Sequence, residues 1–253
     1  KSYLLKNTFF KNKKTINKKT GRIIKAIIPV HIFGHPCEID KIIKLCKSYN
    51  ILVLEDAAEA LGSYYKGRHL GTYGLAGCLS FNGNKIITTG SGGMIITNNK
   101  KFAVKAKHLI QTAKRPHPYE YIHDEIGYNS RMSNLNAALG IAQTKSLKKF
   151  LLIKRKILKM YSSKLKNISQ VSLFLENKSS KSNYWLQTLI LDDEMKQLKN
   201  SILKSLNEKG IGARPAWRLI SSLKPYKKFP KMDLKGAKKI YQKVINLPSG
   251  PGI

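Results

Sequence analysis

The apolar positions of this chain change period along its length, and the changes outline a protein of alternating strands and helices. Residues 23–30 and the run Ile51-Leu52-Val53-Leu54 are short and nearly continuous in apolar character, the pattern of strands buried in a parallel sheet. Between them, Pro36 precedes residues 38–49, where Ile39, Ile42, Ile43 and Cys46 recur at helical spacing. Residues 63–65 and the turn Lys66-Gly67-Arg68 lead to a second short strand at 77–81. Glycines at 90, 92 and 93 introduce another at 94–97. From Lys101 the period becomes mostly helical. Ser133 caps a helix bearing Leu135, Ala138, Leu139 and Ala142 on one face, and helical spacing continues over 150–165. A domain boundary is placed in this neighbourhood, between 1–147 and 148–253. Beyond it, 171–175 and 184–191 read as strands, 194–208 as a helix stopped near Gly210, and 235–244 as another helix. The expected fold class is α/β, a large domain with a mostly parallel sheet followed by a small C-terminal α+β domain.

Composition narrows the class. A chain of 253 residues that is 42% hydrophobic can bury one sizeable core, or a large and a small one. No stretch approaches the roughly 18 apolar residues of a membrane helix, and the opening Lys1-Ser2-Tyr3-Leu4-Leu5-Lys6-Asn7 is too broken by polar groups for a signal peptide. A cytoplasmic location is expected, with no membrane partner. Cys37, Cys46 and Cys78 are widely spaced and read as reduced thiols. The formal net charge of +33 raises nucleic acid as a partner. Its distribution argues against one, because forty lysines and only seven arginines are scattered through every segment. The densest run, residues 11–22, reads as a solvated loop, with a nucleic-acid arm as the alternative. A diphosphate substrate would still feel this field.

Candidate chemistry gathers at the strand ends. Asp56 falls just beyond the carboxyl end of the 51–54 strand, where open α/β sheets bind ligands. The strand at 77–81 delivers Ser80 and Lys85 to the same rim. An aldehyde cofactor such as pyridoxal 5'-phosphate requires an amine to hold it and a carboxylate to keep its pyridine nitrogen protonated, and Lys85 and Asp56 supply that pair. Taken alone, Asp56 also reads as a helix cap for the following turn. His31 and His35 have the spacing of a helical metal pair, but Gly34 and Pro36 exclude a helix there, so no metal site is expected. Arg214 and Trp217 have two readings: a clamp for a carboxylate or phosphate with a ring to stack on, or a packing tryptophan beside a surface arginine.

The segments Pro29-Val30-His31-Ile32-Phe33-Gly34, Glu55-Asp56-Ala57-Ala58-Glu59, Ser80-Phe81-Asn82-Gly83-Asn84-Lys85 and Gly127-Tyr128-Asn129-Ser130-Arg131-Met132 resemble those of the DegT/DnrJ/StrS-type aminotransferases. These act on nucleotide-linked keto sugars, and the wording at 80–85 is most similar to the branch using UDP-linked 4-keto-6-deoxy-N-acetyl sugars. The resemblance implies the fold type I architecture of pyridoxal phosphate enzymes and an amino group supplied by glutamate. It implies that Lys85 holds the cofactor and shuttles protons; relatives that dehydrate sugars have histidine there. It further implies that Asp56 pairs the pyridinium, Ala58 packs beneath the ring, Glu59 stands near the ring hydroxyl, and Ser80 bonds the phosphate. Asn129 would reach the neighbour's phosphate across a homodimer, the alternative being a turn asparagine bonding its own backbone. His31, Tyr128, Arg214 and Trp217 are the expected substrate contacts, with His31 equally readable as a structural histidine. Relatives carry a phosphate-gripping turn and a ring-stacking aromatic in a preceding segment, with a closing helix at the end. Nothing before Ile23 matches the former, and the chain reads as truncated at both ends. Two other expectations stand beside this one: a basic nucleic-acid-binding module, and a gene fragment without present function.

Overall fold

The computed structural model describes residues 1–252 and packs its apolar side chains into two cores. The first lies against a four-stranded sheet in the spatial order Ala26–Ile27, Leu52–Asp56, Ala76–Ser80, Gly93–Ile96. Its first three strands are parallel and the last runs antiparallel, as a mostly parallel sheet requires. Helix Ile39–Ser48 makes the crossover and buries Ile39 and Cys46, the face that its spacing predicts. Complete burial of Ile39 contributes about 2 kcal/mol. The Ala76–Ser80 strand passes directly over the turn at Gly71. A Cβ on Gly77 would lie 2.2 Å from the Gly71 carbonyl oxygen, so no side chain fits there.

The 23–30 segment departs from expectation. Only Ala26 and Ile27 pair along a strand, Val30 adds an isolated bridge to Asp56, and Pro29 has no N–H to extend the ladder. Ile23, Ile27, Ile28 and Val30 are exposed, so the continuous apolar run is not a buried strand. The lysine-rich stretch also differs from the solvated loop expected of it. Thr8–Lys11 pairs antiparallel with Lys14–Asn17 through Asn12 and Lys13, both left-handed, as a two-residue hairpin turn demands. Thr15 and Asn17 are buried, an alternation masked in the sequence by the surrounding lysines.

After helix Lys100–Ile110 the expected helical run is broken by left-handed Thr112 and Ala113 and by a short hairpin, Lys114–Arg115 with Ile122–His123. Helix Asn134–Leu165 follows, capped by the Ser133 hydroxyl, which accepts from Asn136 N at 3.3 Å. It runs unbroken across the 147/148 division. Leu147, Phe150 and Leu151 pack on the first core, and Tyr161 and Leu165 on the second, so one helix joins both.

The C-terminal part is an antiparallel sheet in the order Val171–Leu173, Gln187–Leu191, Val244–Leu247, Arg214–Pro215, with helices Lys199–Glu208 and Lys235–Lys243. This is the expected α+β arrangement. Its central strand starts at Gln187 rather than 184 because Tyr184 has φ 48°, which turns the chain inward. Strand Val244–Leu247 is fully buried and was not anticipated beyond the end of a helix. Its polar member, Asn246, accepts from Thr188 Oγ1 at 3.1 Å.

Candidate functional site

Parallel pairing brings the candidate residues to one rim. Asp56 and Cys78 are opposite one another, so Asp56 and Ser80 both lie at the carboxyl ends of adjacent strands. The Asp56 backbone is held on both sides, its N–H donating to Pro29 O at 2.9 Å and its carbonyl accepting from His31 N at 3.0 Å. One carboxylate oxygen accepts from Ala58 N at 3.1 Å, which starts the turn and sets half-buried Ala58 beside the rim. Both readings of Asp56 therefore hold at once, since it caps the turn and also lines an open cleft of about 890 Å³.

Lys85 projects from the loop after Ala76–Ser80, its own N–H bonded to Asn82 O at 3.0 Å. Its side chain is 13% exposed, with Nζ 3.7 Å from Glu59 Oε1 and 4.2 Å from the centre of the Trp185 ring. An ammonium over an indole face gains about 1–2 kcal/mol when partly desolvated. The other Glu59 oxygen accepts the Phe33 N–H at 2.6 Å. Burial pushes the Glu59 carboxyl up; the Phe33 N–H and Lys85 pull it down, and the negative charge of Asp56 adds to the upward push. Glu59 links the two candidates, since it contacts the Lys85 amine at 3.7 Å and lines the same cleft as Asp56.

Trp217 was a sequence candidate, but its partners Trp185 and Phe33 were not. Trp185 is buried, donates its indole N–H to Asn84 O at 2.7 Å, and stacks on Trp217 at 6.1 Å and 8°. Trp217 in turn lies 5.5 Å from Phe33. Lys85, Trp185, Trp217, Phe33 and Glu59 form a closed ring of contacts around the rim. The signal was present, because the chain has only two tryptophans and both are in this ring. Asn183 fastens the ring's base, donating to Glu59 O and Leu61 O at 2.8 and 2.9 Å and accepting from Trp185 N at 2.8 Å.

The remaining candidates divide. Ser80 is half-buried at the strand end, its hydroxyl accepting from Asn82 N at 3.3 Å. Arg214 lines a neighbouring cleft of about 680 Å³ together with Asn84, Trp185, Trp217 and Arg218. Its guanidinium donates to the Asn207 side chain and to Ala213 O, so Trp217 stacks at the rim while Arg214 is anchored on the small domain. Tyr128 and Asn129 lie on an exposed segment bridged to Gln111, outside the Lys85 ring. His31 has no exposed surface with which to meet a substrate, which corrects that expectation. It is inside the fold, with Nε2 3.0 Å from Glu55 Oε2. Glu55 also accepts backbone N–H groups from Gly71, Tyr73 and Gly74 at 2.8, 2.6 and 2.7 Å. Burial pushes the Glu55 carboxyl up, but His31 and these N–H groups outweigh it and hold the group below its ordinary range.

His35 is turned away from His31, its ring edge-on to Phe174 and Tyr184. The metal-like grouping among the described residues is His108, Asp124 and Glu125, at the surface and remote in sequence from the rim. Lysine, carboxylate and hydroxyl on one rim are the donor set that a pyridine aldehyde bearing a phosphate requires, and the small side chain of Ala58 leaves room beside Asp56. No helix of the described residues is long and apolar enough to cross a membrane.

The chain is 38% identical over 241 residues to GDP-perosamine synthase of Escherichia coli O157:H7, covering 94% of this chain and 64% of that protein. The Vibrio cholerae GDP-perosamine synthase is 35% identical, covering 95% of this chain and 64% of the relative. The chain spans about half to two thirds of the length of the curated relatives it matches. Among solved structures, Helicobacter pylori PseC, an aminotransferase involved in the biosynthesis of pseudoaminic acid, superposes with a TM-score of 0.85 at 29% identity, covering 93% of this chain and 63% of that one. The model of the DegT/DnrJ/EryC1/StrS aminotransferase family matches residues 6–253, and the chain belongs to that family.

Proposed function

We propose that this chain forms the lysine-bearing part of a pyridoxal phosphate-dependent aminotransferase that moves an amino group from glutamate to a nucleotide-linked keto-deoxy sugar. The observation that carries the reading is the Lys85 amine, held between the Glu59 carboxylate and the Trp185 face on the rim where Asp56 ends. When bound, the cofactor supplies an electron sink for the carbon that loses its proton. The chain's own residues do the rest. Asp56 places a negative charge where the ring nitrogen would lie and keeps it protonated. Lys85 Nζ takes the proton from the substrate carbon and returns it as acid and base. Glu59 and Trp185 hold that amine in place, while Ser80 offers a hydroxyl to the phosphate. Trp217 and Arg214 flank the second cleft, where a sugar nucleotide offers a ring to stack and charge to pair.

A homodimer completes the proposal. Asn129 and Tyr128 are exposed, and Ile126 and Leu135 on either side of them in the chain are each 86% exposed, apolar side chains that a second copy would cover. The free cysteines support a reducing, cytoplasmic setting. Names of relatives favour a GDP-linked sugar, and the wording at 80–85 favours a UDP-linked one. Incubation with glutamate and a panel of GDP- and UDP-linked keto sugars, with products weighed by mass spectrometry, decides between them. An aminated product absent from Lys85→Ala supports the reading, and no amination across the panel refutes it.

A further inference from the structure

Away from the rim, one constellation is left unused by the proposed reaction. Cys37 Sγ lies 3.2 Å from His31 Nδ1, and the opposite ring nitrogen of His31 donates to Glu55 at 3.0 Å. The Cys37 backbone N–H also points at Nδ1, at 3.2 Å, so in the neutral ring that nitrogen carries its lone pair and Nε2 carries the proton. A nucleophile, a base and an oriented carboxylate thus stand in line, the arrangement by which a thiol is activated. We propose that Cys37 is a reactive thiol that forms mixed disulfides with low-molecular-weight disulfides, with His31 as its base and Glu55 as the group that positions His31.

The chemistry balances without a further reactant. His31 Nδ1 takes the Cys37 proton. The sulfur attacks one sulfur of the incoming disulfide, whose S–S bond breaks, and the departing thiolate recovers the proton. One S–S bond breaks and one forms: the Cys37 sulfur rises from the thiol to the disulfide level, the departing sulfur falls from the disulfide to the thiol level, and no external oxidant is needed. Burial works against a charged His31, but the Cys37 thiol and Glu55 outweigh it and raise the ring to about 9, a base strong enough to hold that proton. Three backbone donors prevent Glu55 from turning away. Cys37 itself is half-buried, whereas Cys78 is exposed and Cys46 is buried, so exposure alone ranks Cys78 first. Burial and the charge of Asp56 push the Cys78 thiol up, and no histidine bonds it among the described residues. The inference is independent of the cofactor reading, because it invokes neither Lys85 nor Asp56 as a reactant.

The test is the rate at which each cysteine of the intact protein reacts with glutathione disulfide at pH 7.5, read by peptide mass spectrometry. Cys37 is expected to react at least ~10-fold faster than Cys78 despite its lower exposure. His31→Gln should abolish that advantage while leaving the Cys78 rate unchanged. If His31→Gln fails to fold, the ratio within the wild-type protein decides alone. A Cys37 rate equal to or below that of Cys78, or a Cys37 advantage that survives in folded His31→Gln, overturns the proposal.

Discussion

Lys85 and Lys154 are both withdrawn from water, and they sit in opposite surroundings. Lys85 is on an open rim with a carboxylate at 3.7 Å and an aromatic face at 4.2 Å. Lys154 is on the long helix, 5% exposed, and its ammonium donates to backbone carbonyls of Trp185 and Ser249 with no acid beside it among the described residues. Burial alone drives Lys154 down to about 8. Loss of solvent therefore does not make a lysine functional. What distinguishes Lys85 is that its amine is held by Glu59, a residue that lines an open cleft, and by the Trp185 face. Lys154 instead serves the structure, tying the helix shared by both cores to the loop that carries Trp185.

The contrast is broken most severely at Lys85. Lys85→Ala should lower amino transfer by at least ~1,000-fold. Its stability to thermal unfolding should fall by no more than about 2 kcal/mol, the worth of the lost ammonium–indole contact. Lys154 should show the reverse, an effect on stability with a defined pH dependence. Its folded value of about 8 lies below the ordinary 10.5, so between them the unfolded chain binds more protons and stability rises with pH. From pH 8 to 10 the wild type should gain about 2 kcal/mol relative to Lys154→Met, measured by urea unfolding. A flat difference between the two would show that the buried ammonium is not desolvated.

Smaller effects sharpen the description of the rim. Trp185→Leu removes both the aromatic face and the donor to Asn84 O, and should weaken cofactor retention by about 10-fold in equilibrium dialysis. Glu59→Gln keeps an acceptor for the Phe33 N–H and should change the same constant by less than about 5-fold. A larger loss would make Glu59 a principal ligand rather than a support for the amine.

The strands that build the rim were legible because their cause is local. Leu52–Asp56 and Ala76–Ser80 each announce themselves by apolar runs bounded by turn residues, and Asp56 follows from where such a strand ends. Helix Ile39–Ser48 was legible from its period. What escaped depends on tertiary contact. The Trp185 strand assignment failed at a left-handed Tyr184, a conformation imposed by the Ser182 and Asn183 hydrogen bonds rather than by propensity. His31 matched a family segment but is enclosed by Glu55, whose burial depends on the distant turn at 71–74. The hairpin at 8–17 was hidden because its buried side chains, Thr8, Thr15 and Asn17, are polar, which makes a strand look like a solvated loop.

Forty lysines make the central claim unusually exposed to test. The protein is incubated with pyridoxal 5'-phosphate, reduced with borohydride, digested and mapped for a stable pyridoxyl group. The account predicts a single dominant label on Lys85 that disappears in Lys85→Ala, leaving only weak labelling scattered over surface lysines. A dominant label on any other lysine, or one undiminished in Lys85→Ala, would contradict it.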